Sequence, residues 1–209
     1  EIDKSNYIYL VGSTKSLNFP VTADAYDDSY NDTLSSQRRS DGFVSIIHSS
    51  GNYLAYSSYI GGNERDVLYS VEIDDFYSYY LTGMTESKDF PVTSYAFDTT
   101  YRSKEGVRTA GDIFISKFNS NRKFMEFSTY IGGSSSDKSY DLKIANDGYI
   151  YFIGATSSFD IWKSKNAFDK SFNDSTFGSD AYLGVLDKNG KNLVYSSFIG
   201  GRESDIAYS

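Results

Sequence analysis

The sequence predicts an all-β chain made of repeated units, and three observations carry that expectation. First, an Ile-Gly-Gly triplet with an Asp four residues past its second glycine occurs three times: Ile60-Gly61-Gly62 with Asp66, Ile131-Gly132-Gly133 with Asp137, and Ile199-Gly200-Gly201 with Asp205. The first glycines are 71 and 68 residues apart, a period that holds about four strand-sized runs and points to a stacked or radial repeat. Second, the runs between these anchors alternate apolar and polar residues with period two, as strands do. Third, 17% of the residues are aromatic, mostly Tyr (20) and Phe (15), which favours pleated sheet over helix.

With the glycine pair as anchor, each element falls into register. An Asp opens a strand 20 residues before each first glycine, at Asp41, Asp112 and Asp180, and the strands follow at 42–46, 113–118 and 181–185. A turn comes next, clearest in Asp187-Lys188-Asn189-Gly190, where Asn-Gly is a hairpin signal. In the second strand Leu54, Tyr56, Ser58 and Ile60 share one face, matched by Met125, Phe127, Thr129, Ile131 and by Leu193, Tyr195, Ser197, Ile199. That spacing predicts strands half-buried between layers. A third strand is expected over 67–73. After a turn such as Asn146-Asp147-Gly148, a fourth is expected to end at a glycine, over 7–12, 78–83 and 149–154. Tyr9, Tyr80 and Tyr151 are equivalent within it and are expected in core packing rather than on a carbohydrate platform. Phe19-Pro20-Val21-Thr22 and Phe90-Pro91-Val92-Thr93 come next, where the third copy has Asp160-Ile161-Trp162-Lys163. Ala25-Tyr26-Asp27, Ala96-Phe97-Asp98 and Ala167-Phe168-Asp169 close the segments.

Four short antiparallel strands per repeat make one blade of a β-propeller; a β-sandwich of hairpins does not require the same residues at the same offsets. The expected architecture is therefore three four-stranded antiparallel blades of about 70 residues in an open or partial propeller. The repeats are 1–62 (truncated at its N-terminus), 63–133 and 134–201, with 202–209 the start of a fourth.

These residues resemble the SBBP, or β-propeller, repeat family of bacterial and archaeal extracellular proteins. The resemblance rests on Tyr56-Ser57-Ser58-Tyr59-Ile60-Gly61-Gly62, Phe127-Ser128-Thr129-Tyr130-Ile131-Gly132-Gly133, Leu81-Thr82-Gly83-Met84-Thr85 and Asp89-Phe90-Pro91-Val92-Thr93. It covers nearly the whole chain; the third copy departs by lacking Phe-Pro, and the loops before Asp41, Asp112 and Asp180 are long. The doublet is similar to that of kelch repeats, whose downstream Tyr and Trp spacing is missing. The family implies a fold and an extracellular or cell-surface location but no activity. Three blades are too few for a ring, which typically takes about 4–8. The expectation is a slice of a longer array; the alternative is a ring completed between copies.

The remaining composition excludes several functions. A net charge of −8 and a pI near 4.6 repel a phosphate backbone, so nucleic acid is not an expected partner. There is no cysteine, which removes disulfides, zinc thiolates and cysteine nucleophiles. No run reaches the roughly 18 apolar residues of a membrane helix, and residues 1–6 lack a signal-peptide pattern. His48 is the one histidine and sits at a predicted turn, so triads and multi-histidine metal sites are not expected.

The glycine pair is expected to supply positive φ and a sharp exit into the next blade. Asp66, Asp137 and Asp205 then suit side-chain caps on the exposed N–H groups of that crossing. Their alternative reading is a calcium-type oxygen site, with no Asp-x-Asp-x-Asp-Gly loop to support it; Asp41, Asp112 and Asp180 are read as structural in the same way. No cofactor is expected. The long loops emerge on the face of the crossings and carry the candidate binding residues Tyr30, Arg38, Arg39, Tyr101, Arg102, Arg108 and Phe172, since Tyr and Arg are good interface residues. Two glycosylation-type triplets, Asn31-Asp32-Thr33 and Asn173-Asp174-Ser175, fall in these loops. The expected function is non-catalytic display or binding of a protein or polysaccharide at a surface. A carbohydrate-active enzyme with carboxylates at the propeller axis, and a component that self-associates through blade edges, are the alternatives.

Overall fold

A computed structural model describes residues 1–31, 39–104, 110–173 and 178–209. Among them the regular structure is entirely β, with no helix, in three antiparallel sheets that follow one another along the chain. Sheet one contains β1 (Ile8–Thr14), β2 (Asp41–Ile47) and β3 (Leu54–Ile60). Sheet two contains β4 (Asp66–Ile73), β5 (Tyr79–Thr85), β6 (Asp112–Phe118) and β7 (Met125–Ile131). Sheet three contains β8 (Asp137–Ile144), β9 (Ile150–Thr156), β10 (Asp180–Leu186) and β11 (Leu193–Ile199). Each sheet is a meander whose spatial order is its chain order; short turns join its strands except at the long β1–β2, β5–β6 and β9–β10 connections.

Sheet one has three strands, where four were expected. The place of a first strand holds the Ile2↔Ile8 bridge with the Glu1–Tyr9 and Asp3–Tyr7 backbone pairs. The strands expected to stop at glycine run two residues further, to Thr14, Thr85 and Thr156. Gly83 and Gly154 sit inside β5 and β9 because the partner strand bulges opposite them: the register shifts between Leu68 and Ser70, and between Ser139 and Asp141. A Cβ on Gly83 would lie 1.9 Å from the Val67 carbonyl oxygen, and one on Gly154 would lie 1.8 Å from that of Lys138. The extra residues of the bulges are Tyr69 and Tyr140, whose rings lie 5.1 Å apart across the two sheets.

The core lies between successive sheets. Between sheets one and two, Tyr9, Ile46, Tyr56, Leu68, Leu81, Phe114 and Tyr130 join one apolar cluster; Ile115, Phe127, Leu142, Phe152, Tyr182 and Phe198 anchor a second between sheets two and three. β4 packs against β1 and β2, and β8 against β4, β5 and β6. Covered on both sides, sheet two has no solvent face: all seven residues of β5 are buried. The half-buried expectation for the strands at 54–60 and 125–131 is corrected likewise, since 56–60 and 127–131 are buried throughout. Tyr9 and Tyr80 are buried, and their hydroxyls reach Asp3 Oδ2 at 3.5 Å and Asp74 Oδ2 at 3.2 Å. Tyr151, which should have matched them, is exposed: Ala145 stands where Asp74 stands, and among the described residues no further sheet lies beside sheet three.

The outer strands are covered by chain. Residues 22–27 run beside β3, with Thr22 N–H donating to the Ser57 carbonyl (3.0 Å) and Tyr59 N–H to that of Asp27 (3.1 Å). The same pairs recur as Thr93–Ser128 (3.0 Å) and Tyr130–Asp98 (3.0 Å), and as Ser164–Ser196 (3.2 Å) and Phe198–Asp169 (3.1 Å). The unsatisfied edge that invites a foreign strand is thereby closed at β3, β7 and β11.

Candidate functional site

The registers place the long β1–β2, β5–β6 and β9–β10 connections at the same end as the glycine-pair crossings, since Asp66, Thr85 and Asp112 line up across sheet two and the neighbouring Ile113 pairs with Ile131. At that end two aspartates organise each crossing. Asp66 Oδ2 accepts from Gly62 N–H at 2.8 Å and Ser87 Oγ at 2.9 Å; Asp137 Oδ2 accepts from Gly133 N–H at 2.8 Å and Ser158 Oγ at 2.9 Å. The Thr156 hydroxyl completes the Asp137 set, and Asp205 Oδ2 accepts from Gly201 N–H at 2.7 Å. The second aspartate of each set ties down the long loop: Asp41 accepts from Asn31 N–H at 2.7 Å, Asp112 from Arg102 N–H at 2.7 Å and Asp180 from Asn173 N–H at 3.0 Å.

None of the six glycines of the pairs has positive φ; the described glycines that do are Gly51, Gly148 and Gly190, in hairpins. The pairs are required by close approach instead. A Cβ at Gly132 would meet the Asp112 carboxyl at 2.5 Å, one at Gly61 the Asp66 carboxylate at 2.7 Å, and one at Gly133 the Asp160 carboxylate at 2.6 Å. Gly200 is crowded in the same way by Asp180, at 2.7 Å.

Burial pushes these carboxyls up against the opposing hydrogen bonds: Asp66 to about 7, Asp112 to about 6 and Asp137 to about 8. Every partner above donates a hydrogen to the carboxylate. A cation needs oxygens that present lone pairs, so this donor-lined setting does not fit calcium at Asp66 or Asp137. Among the described residues no group of three or more His, Cys, Asp or Glu side chains is placed to hold a metal ion.

The aromatic loop residues turn inward, which corrects their reading as ligand contacts. The Tyr30 ring is buried 6.0 Å from that of Tyr59, and its hydroxyl donates to the Arg39 carbonyl. Tyr101 lies 6.0 Å from Tyr130 and donates to the Ala110 carbonyl at 3.0 Å; Phe172 lies 6.0 Å from Phe198. All three pin their loops to the sheet below. Arg39 forms an ion pair with Glu64 and lies 3.8 Å from Glu86. Arg38 and Arg108 lie outside the described residues, as do the later positions of both glycosylation-type triplets. His48 occupies a hairpin turn, its ring stacked 4.5 Å from Tyr53.

Arg102 is the predicted residue that the fold brings into a cavity. A cleft of about 350 Å³ opens at the crossing between sheets two and three, lined by Phe97, Asp98, Arg102, Ile131, Gly132, Gly133, Asp160 and Trp162. Arg102 Nε donates to Asp98 Oδ2 at 2.7 Å, and this bond raises the guanidinium pKa further. Burial acts to raise the Asp160 carboxyl, but the Ser134 N–H (2.9 Å), the Ser134 hydroxyl (3.0 Å) and nearby Lys104 outweigh it and hold it low. The Asp160 carboxylate and the Arg102 guanidinium are therefore charged at neutral pH.

Trp162 is the one tryptophan in the chain; the residue is 39% exposed and its ring meets Phe97 edge-on at 6.1 Å. Its carbonyl accepts from Tyr182 Oη at 2.6 Å and Ser196 Oγ at 2.7 Å. Three departures from the repeat cooperate here. Trp162 replaces Pro91, Tyr182 replaces Phe114, and Gly184 replaces Ser116. In sheets one and two the serines pair, Ser45 with Ser57 and Ser116 with Ser128, each at 2.8 Å. Gly184 removes that partner, and Ser196 turns to Trp162. At the crossing between sheets one and two the corresponding positions are Pro91 and Asn31, which offer neither indole nor guanidinium. Sequence reasoning passed over Trp162, Asp98 and Asp160; the available signal was a lone Trp at the point where the third copy breaks the motif.

No protein-family model matches the chain, and no curated protein sequence matches it.

Proposed function

We propose that this chain is a non-catalytic binding scaffold whose loop end receives a saccharide in the cleft at Trp162. The observation that carries this reading is the placing of an anchored, half-exposed indole beside Arg102, Asp98 and Asp160. Aromatic faces pack on the C–H faces of sugar rings, and charged planar groups hydrogen-bond pairs of hydroxyls. The carboxylates with raised pKa are spent on backbone caps, while Asp160 in the cleft is held ionised, and this arrangement supports binding over acid–base hydrolysis. Successive four-stranded meanders, with equivalent residues of β4 and β8 in contact, support reading the sheets as blades of an open β-propeller. With the resemblance to SBBP repeats, that favours an extracellular or cell-surface setting.

Because Trp162 is the sole tryptophan, its fluorescence reports on the cleft alone. Titration with neutral and acidic oligosaccharides should give a saturable blue shift for at least one class, and Arg102→Gln should weaken that binding. Unchanged emission across such a panel, at concentrations well above a weak Kd of about 1 mM, would sink the proposal.

A further inference from the structure

The bulges in β4 and β8 each push one residue out of the paired ladder: the register steps from Leu68 to Ser70 in β4 and from Ser139 to Asp141 in β8. The residues passed over are Tyr69 and Tyr140, on the edge strands of sheets two and three. Their rings lie 5.1 Å apart with a tilt of 54°. Bonds between the sheets fix that spacing. One residue on, Ser70 Oγ donates to Asp141 Oδ1 at 2.6 Å; two residues further, Lys143 Nζ donates to Glu72 Oε2 at 2.7 Å. Both bonds join equivalent positions of successive repeats, so β4 and β8 are held in register where the two tyrosines meet.

Other tyrosine pairs differ from this one. Tyr9–Tyr79, Tyr30–Tyr59 and Tyr101–Tyr130 lie 6.1, 6.0 and 6.0 Å apart, and at least one ring of each is buried. Their hydroxyls are engaged with the protein, as where Tyr59 Oη donates to the Ser16 carbonyl at 2.8 Å and Tyr130 Oη to that of Ser87 at 2.9 Å. Tyr69 and Tyr140 are half-buried, and among the described residues neither hydroxyl has a hydrogen-bond partner. Burial raises both phenols above their ordinary pKa, so at neutral pH each keeps its proton until an electron leaves. Tyr208 also approaches Tyr140, at 5.0 Å, but with no flanking bond of that kind among the described residues.

We propose that Tyr69 and Tyr140 form an oxidative coupling site, at which a haem peroxidase acting with hydrogen peroxide joins the two rings as dityrosine. Each phenol gives up one electron and one proton and becomes a phenoxyl radical. The radicals combine through one ortho carbon of each ring, and the two ortho hydrogens then move to the oxygens, which restores both phenols. One hydrogen peroxide takes up the two electrons and two protons and leaves as two waters, so the chain loses two hydrogens in all. The fixed ring contact replaces a chance encounter with a held geometry, which favours coupling within a chain over coupling between chains. The product is a covalent staple between sheets two and three, in a chain with no cysteine to make a disulfide.

The test is to add peroxidase and hydrogen peroxide to a dilute solution of the chain. The expected product has the mass of one chain less two hydrogens and shows dityrosine fluorescence. Cleavage after Lys and Arg leaves Tyr140 as the single tyrosine of residues 139–143. That peptide should appear joined to residues 66–88, with fragmentation placing the bond on Tyr69, a readout that needs no variant. Tyr69→Phe and Tyr140→Phe each keep the ring and remove an unpartnered hydroxyl, and each should abolish the one-chain product. Tyr95→Phe, at an exposed tyrosine, should leave it unchanged. Absence of the one-chain product from the unmodified chain, with or without linked dimers, overturns the proposal. So does a bond from Tyr140 to Tyr208 in place of Tyr69, or a one-chain product that persists in Tyr69→Phe.

Discussion

At Gly62 a methyl group in place of hydrogen would sit 2.5 Å from Asp89 Oδ1 and 2.7 Å from the Ser87 Cβ. Side chains can yield; backbone in a packed ladder cannot. Gly83→Ala, whose Cβ falls 1.9 Å from a carbonyl oxygen in buried β5, should therefore cost more than about 3 kcal/mol, and Gly62→Ala about 1–3 kcal/mol. Gly51→Ala has open space and meets only the penalty for positive φ, about 1 kcal/mol. Urea denaturation of the three variants checks the ranking, and equal costs would mean that the crowding is relieved by movement. Gly62 and Gly83 were visible as repeat glycines. Which physical reason applied to each was not, because both reasons select the same residue.

On the scale of elements, each outer strand depends on a hydroxyl that fastens the covering segment. Thr129 Oγ1 accepts from Asp98 N–H at 2.9 Å, and Ser58 and Ser197 accept from Asp27 and Asp169 N–H at 2.9 Å each. Thr129→Val keeps the shape but leaves a buried N–H without its acceptor, so a loss of about 1–3 kcal/mol is expected. Thr129→Ser, the residue of the other two copies, should retain most of that stability. Hydrogen exchange should locate the effect of the valine in residues 93–98, including Asp98 at the cleft; uniform loosening would contradict it. The strands themselves were legible from period-two alternation, and their Asp starts were placed to the residue. The covering segments were not legible, because their pairing to β3, β7 and β11 follows no periodic pattern.

For the whole molecule, the buried carboxyls reverse the usual response to acid. Asp66, Asp112 and Asp137 bind protons in the folded state up to about pH 7, 6 and 8, against an ordinary value near 3.8. Between about pH 4 and 8 the folded chain holds more protons than the unfolded one, so stability falls as pH rises through that window. The net charge of −8 adds self-repulsion in the same direction. Thermal unfolding should show a lower Tm at pH 8 than at pH 5, each kcal/mol lost lowering it by about 2–4 °C in a chain of this size. Asp137→Asn, which keeps an acceptor for Gly133 N–H, should flatten the dependence. A Tm that rises from pH 5 to 8 would show that hydrogen bonding outweighs desolvation at these sites.

The amino-acid order alone determined the all-β class, the repeat period, the positions of the strands after each aspartate and the capping role of Asp66, Asp137 and Asp205, because these are local matters of spacing, propensity and short-range hydrogen bonding. Tertiary structure decided which loop residues face solvent and which lie against a neighbouring ring: Tyr30, Tyr101 and Phe172 turn inward, while Arg102 and Trp162 line one cleft at a crossing. It also decided that Tyr151 is exposed while its equivalents are buried. Burial is set by the sheet that happens to lie alongside, and nothing within a repeat records whether a neighbour is present.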